Sequence, residues 1–193
     1  MSFSLEQGKR LVDAARKSIV SELKSESLSL SEDFKEEFSE KRGIFVTLKK
    51  DDELRGCIGY PVPKLPLHQA VVDAAKAAAF KDPRFPPLAE DEVNDISIEI
   101  SVLTVPEELE VRDRENIVIG RDGLIIDGGY ASGLLLPQVP VEQGWDQEEF
   151  LEHICTKAGL PSDAYKDEEN KIYIFQAQIF CEEGDQVVEK SHS

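Results

Sequence analysis

Prolines at 61, 63 and 66, and again at 83, 86 and 87, bracket an Ala-rich stretch, residues 67–80, that contains none. Proline removes a helix hydrogen bond and pushes its predecessor towards extended backbone, so it closes off a helix at either end. The bracket therefore predicts one helix over 67–80. Leu67, Val71, Ala74, Ala75 and Ala78 fall on one side of it, with side chains small enough for close packing. A helix of that kind needs an apolar face to lie on. Residues 44–48 and 54–60 are β-branched and aromatic runs joined by a polar turn over 49–53, and they predict a hairpin beside it.

The rest of the chain reads in the same terms. Ser4 with Gln7 is a capping-box pair, and Leu11, Val12, Ala15, Ile19, Val20 and Leu23 then recur at helical spacing, predicting a helix over about 5–24. Ser31 starts a second helix, with Phe34 and Phe38 as an i,i+4 pair, that runs to Gly43. Residues 96–102 alternate apolar and polar as a half-buried strand does. Residues 117–119 and 124–127 flank Asp122-Gly123, the signal of a second hairpin. Gly128-Gly129 leads to an extended stretch over 130–136, and Pro137 and Pro140 bracket Gln138 in a loop. Asp146 and Glu149 cap a helix that Gly159 closes, and residues 172–181 form a last strand. Helices and antiparallel strands are segregated, which favours an α+β fold: an antiparallel sheet flanked by helices. One globular domain over 1–181, of one lobe or two, is expected, followed by a flexible acidic tail over 182–193.

The chain carries 39 acidic and 22 basic side chains, a formal charge of −17. Releasing counterions from phosphates needs clustered Lys and Arg, so the balance disfavours nucleic acid and anionic membrane as partners. Cys57, Cys155 and Cys181 are odd in number and without CxxC spacing, which suits a reducing compartment. The start of the chain lacks a basic and then apolar leader, and no apolar run reaches the ~18 residues of a membrane span. A soluble, cytoplasmic protein is expected.

The segment Leu54-Arg55-Gly56-Cys57-Ile58-Gly59-Tyr60 is the most informative for chemistry. Strand alternation sets Arg55 and Cys57 on one face, where a cation would favour the thiolate. Gly56 and Gly59 remove side chains that would block a ligand or a second backbone. The alternative is a buried structural thiol with glycines marking a bulge. Neither GxxxxGK nor GxGxxG occurs, so no standard phosphate loop is present. His153 and Cys155 are two apart on a helix and make a poor metal pair. No metal site is expected, and no cofactor is indicated.

That segment, with Leu67-His68, the run Asp82-Pro83-Arg84-Phe85-Pro86-Pro87-Leu88, Leu136-Pro137-Gln138-Val139 and Glu142-Gln143-Gly144-Trp145, resembles the AMMECR family over about residues 10–180. The resemblance implies a two-lobed α+β fold with the Cys-containing motif near a cleft, and no established reaction. It also implies association with a Memo-type protein and a radical S-adenosylmethionine protein, neither of whose ligand sets occurs here. His68, in the Leu-His step, is a candidate base for Cys57 if the helix start abuts the motif strand; otherwise it bonds the proline loop. Arg84, in a loop stiffened by prolines, is a candidate anion anchor or a tie for the helix end with Asp82. Gln138, Gln143 and Trp145 could line a planar ligand site, or Trp145 could be core.

Three functional classes follow. The first is an enzyme or ligand-binding protein built around Cys57 and His68, with Arg55, Gly56, Gly59, Arg84, Gln138 and Trp145 contacting the ligand. The second is a non-catalytic module that docks a partner enzyme. The third is a nucleic-acid-associated regulator.

Overall fold

The computed structural model describes residues 2–190, apart from the Glu115 side chain. They form two compact units. One runs up to Leu103 and resumes at Gln178; the other is Thr104–Ala177.

In the first unit, helix α1 (Leu5–Leu23) starts as its capping box predicts: Ser4 Oγ accepts from the Gln7 N–H at 3.2 Å and the Gln7 side chain accepts from the Ser4 N–H at 2.8 Å. Its stripe of Leu11, Val12, Ala15 and Ile19 is buried. Helix α2 (Glu32–Glu37) is capped by Ser31 but ends well short of Gly43. The reason lies in α3 (Leu67–Phe80), whose N-cap is Pro66 and has no side-chain cap. The first N–H groups of α3 still need acceptors. Leu67 donates to the Glu40 carbonyl at 2.9 Å and His68 to the Phe38 carbonyl at 3.0 Å, so residues 38–40 leave the helix to serve α3.

Strands β1 (Ile44–Lys50), β2 (Glu53–Tyr60) and β3 (Ile96–Leu103) are antiparallel, and the order continues to β7 (Lys171–Glu183), whose second half belongs to this unit. Ile44, Val46 and Leu48 of β1 and Ile98 and Ile100 of β3 bury against α1 and α3, with Phe180 of β7 in the same core. The stretch after Cys181, expected as a flexible tail, continues β7 and then turns back as β8 (Gln186–Lys190), which sets Val187 opposite Glu182 and Val188 opposite Cys181. Val187 packs on the core, which is reason enough for the strand to form. Residues 191–193, including His192, lie outside the described residues.

In the second unit, β7 pairs with β4 (Glu107–Leu109) and β5 (Asp122–Asp127), and β5 pairs with β6 (Ser132–Leu135). Residues 117–119 are therefore not the partner of β5. The Asp122 N–H bonds back to the Val118 carbonyl at 3.0 Å, and the buried Asp122 carboxylate accepts from the Val118 N–H at 2.9 Å. This turn ends the extended run before it can pair. The expected loop around Gln138 is instead helix α4 (Gln138–Gln143), with Pro140 in its first turn, where a missing N–H costs nothing. Gly144, at φ +69°, closes it in the left-handed region.

Helix α5 (Gln147–Lys157) opens on the predicted box of Asp146 and Glu149. Asp146→Ala is expected to cost about 1 kcal/mol of stability, measured as a lower urea midpoint. No helix among the described residues is long and apolar enough to cross a membrane.

Candidate functional site

The register of β2 explains where its side chains go. Leu48 of β1 faces Gly56 while Lys49 faces Leu54, so Arg55 is an extra residue opposite none. Such a bulge interrupts alternation and re-aims the residue that makes it. Arg55 reaches sideways to the short 3₁₀ turn Glu90–Glu92, donating from Nε and Nη2 to Glu92 at 3.1 and 2.9 Å. The Glu92 carboxyl, gripped first by Arg55 and then by the Ala89 N–H, is pulled down to about 2. Arg55 is thus committed to a carboxylate rather than to the thiol.

Gly56 meets α3. A Cβ built there would lie 2.2 Å from the Ala78 carbonyl oxygen, so the bare glycine lets the helix backbone approach the strand. At Gly59 a Cβ would strike the Phe45 ring at 2.3 Å. Both glycines accommodate the protein's own atoms.

Cys57 lies between them on the edge strand of the order. The outward amide and carbonyl of an edge strand lack a ladder partner and invite pairing with another chain. Here the loop after α3 supplies the partner. Asp82 Oδ2 accepts from the Cys57 N–H at 2.9 Å, and Arg84 Nη2 donates to the Cys57 carbonyl at 3.2 Å. Asp82 is buried and also accepts from Arg84 Nε at 2.9 Å and Nη2 at 2.7 Å. The Arg84 side chain holds the Asp82 carboxyl well below the usual carboxylate range, against a burial that acts the other way. Arg84 is itself raised, by Asp82 and to a smaller extent by Cys57.

The Cys57 thiol faces away from the helices, 3.1 Å from the Thr47 hydroxyl. Register sets Thr47 opposite Cys57 on one side and Glu99 on the other, giving a row Cys57–Thr47–Glu99. Lys49 and Lys190 bind Glu99 at 3.0 and 3.4 Å. The row is half-buried, and its acid is matched by two lysines. It sets a thiol, a hydroxyl and a carboxylate held by two ammonium groups in one line. No group of three or more His, Cys, Asp or Glu among the described residues is placed to hold a metal ion.

A sequence model of the AMMECR1 family matches residues 12–180. The chain belongs to that family. It is 52% identical over 186 residues to a protein of Methanothermobacter thermautotrophicus, covering 94% of this chain and 97% of that one. It is 54% identical over 187 residues to protein MK0488 of Methanopyrus kandleri, covering 93% and 90%. The crystal structure of the uncharacterised protein PH0010 of Pyrococcus horikoshii is similar at a TM-score of 0.86, with 46% identity, 97% of this chain and 98% of that chain covered.

Within the first unit, the AMMECR motifs come together only in part. Cys57, Asp82 and Arg84 come together, and Arg55 turns to Glu92. His68 lies at the start of α3, whereas Asp82 follows its end, about 20 Å along the axis at 1.5 Å per residue. Its surroundings are Glu32 and Lys35, and burial, aided by Lys35, lowers its pKa. Gln138 and Trp145 belong to the second unit. Trp145 stacks on His153 with ring centroids 3.8 Å apart, and Gln138 Oε1 is buried without a hydrogen-bond partner. Gln143 is exposed at the end of α4.

Thr47, Lys49, Glu92 and Glu99 escaped the sequence reading. The signal for Thr47 and Glu99 was the polar phase of two strands whose apolar phase was recognised; Lys49 reads as turn although β1 runs on to Lys50, and Glu92, in a 3₁₀ turn, had no such signal.

Proposed function

We propose that this AMMECR-family protein is a ligand-binding protein whose site is the polar row Cys57–Thr47–Glu99, with Cys57 as a contacting thiol and Lys49 and Lys190 holding Glu99. The observation that carries the reading is the thiol's company. Its polar neighbour is the Thr47 hydroxyl at 3.1 Å rather than a base. A catalytic thiol needs a base within hydrogen-bond reach. His68 belongs to the far end of α3, Asp82 and Arg84 serve an ion pair and the strand edge, and Arg55, a cation rather than a base, pairs with Glu92 through Nε and Nη2. Contact recognition asks less of the same atoms.

The test is alkylation by iodoacetamide, read by mass spectrometry of intact and digested protein. Cys57 is half-buried while Cys155 and Cys181 are buried, so Cys57 is expected to label first and the other two only on unfolding. The folded-state rate at Cys57 is expected to be at or below that of the urea-unfolded chain. A rate about tenfold or more above it would indicate an activated nucleophile and overturn the binding reading.

The AMMECR resemblance supports a Memo-type protein and a radical S-adenosylmethionine protein as partners. On this reading each would leave the labelling of Cys57 unchanged. Protection of Cys57 by either purified protein would transfer the row to a docking role.

A further inference from the structure

A pocket elsewhere in the first unit is built around Arg42. The chain segment around Arg42 is pinned to the proline loop at two points: Lys41 bridges to Pro66, and a Cβ on Gly43 would lie 2.5 Å from the Pro61 carbonyl oxygen. Between segment and loop is a pocket of about 400 Å³, within the range of small-ligand sites. Its walls are mainly apolar, from Tyr60, Val62, Leu65 and Ala70, and its charged lining groups are Arg42 and Lys64. Tyr60 and Val62 are 37% and 52% exposed.

Arg42 is one of three arginines, with Arg55 and Arg114, that keep a buried guanidinium nitrogen without a hydrogen-bond partner among the described residues, and it is the one that lines this pocket. It is 6% exposed, yet its Nε is buried without a hydrogen-bond partner. Its ion pair is Nη2 to Glu40 at 3.0 Å, and the Glu40 side chain is 57% exposed. Burying a guanidinium with an open donor is costly, and an anion that replaces or supplements a solvated partner offsets that cost.

We propose that this pocket binds a small molecule with an apolar body and one carboxylate, the carboxylate on Arg42 and the body against Tyr60, Val62 and Leu65. The planar guanidinium matches a carboxylate. The apolar walls favour a monoanion over a dianion such as phosphate, which gives up more hydration on entering them. The pocket is independent of the row at Cys57.

The test is a titration of the ¹⁵N-labelled protein with 4-phenylbutyrate, 4-phenylbutanol, 4-phenylbutylamine and phenyl phosphate. The carboxylate is expected to shift the amides of Tyr60, Val62, Leu65 and Ala70, the alcohol to bind about tenfold more weakly for want of a charge-assisted bond, and the amine to leave them unmoved. Val62→Glu, at an exposed wall, is expected to abolish carboxylate binding while the fold is retained. Arg42→Met keeps the aliphatic stem and is expected to level carboxylate and alcohol. Should Arg42→Met fail to fold, Val62→Glu and Lys64→Glu carry the test, the latter weakening the carboxylate alone. The proposal is overturned if alcohol or amine binds as well as the carboxylate, if phenyl phosphate binds better, if the shifts map elsewhere, or if no carboxylate binding occurs at millimolar concentration.

Discussion

Gly56→Ala is expected to lower the free energy of unfolding by about 3 kcal/mol, the upper part of the range for overpacking a close contact. The added methyl would lie 2.2 Å from the Ala78 carbonyl oxygen. That atom is helix backbone and cannot rotate aside as a side chain would. Either α3 lifts away from β2, opening the Ala-rich face, or β2 shifts against β1. Urea denaturation checks it: the midpoint should fall with little change in slope. Gly129→Ala is the contrasting case. Gly129 has φ +77° with open space around its Cβ position, so only backbone strain of about 1 kcal/mol is expected.

Asp82→Ala is expected to cost about 3 kcal/mol at pH 7, because it leaves the half-buried Cys57 N–H unpaired and takes from Arg84 Nε and Nη2 the buried carboxylate they bind. The effect should depend on pH in a determined direction. The Asp82 carboxyl is lowered in the folded protein relative to its ordinary value of 3.8. A lowered carboxyl stabilises the fold in full above its unfolded value, and that contribution is lost as pH falls towards the folded one. The gap between wild type and Asp82→Ala is therefore constant above about pH 5 and narrows below about pH 4. Glu92, pulled down to about 2 chiefly by Arg55, adds a loss of stability in the same acidic window. Urea titrations of both proteins at pH 7 and pH 3 check the two statements; a gap that widens on acidification would contradict them.

Parts of this architecture were legible in the sequence, for identifiable reasons. The prolines flanking 67–80 act locally, and the helix has those bounds. The capping boxes at Ser4 and Asp146 are likewise local, and both form. What was illegible depends on partners distant in the chain. Arg55 looks like a neighbour of Cys57 until the bulge is known, and the bulge follows from pairing with β1 and from Glu92, thirty-seven residues on. The helix ending at Phe38 looks longer in sequence because Phe34 and Phe38 continue its period, while the demand of α3 for carbonyls at 38 and 40 leaves no local trace. Pro140 reads as a helix breaker unless it is known to fall in a first turn. The Asp82-Pro83-Arg84 run suggested an anchor; that it closes the edge of β2 requires knowing that β2 is an edge.

The glycines show how one motif admits two readings. A run with Gly on either side of Cys suggests room for a ligand, yet the room at Gly56 is filled by Ala78 and that at Gly59 by Phe45. The thiol between them remains half-buried, and it is its strand neighbours, Thr47 and through it Glu99, that make the case for a site.

The first unit is interrupted in sequence by the whole of the second, and this bears on the order in which a growing chain can mature. Residues 104–177 leave the ribosome as a contiguous block with its strands and helices all present. The first unit, although its start is made earliest, still lacks Phe180, which fills the space over Gly8, and the β7–β8 turn. At translation rates of about 5–20 residues per second, Phe180 follows Gly8 by roughly 10–30 s, although β1, α3 and β3, which share a core with the apolar stripe of α1, are made in between. Until Phe180 arrives, the face of α1 at Gly8 is the part of the first unit left open to chaperones and to misassociation.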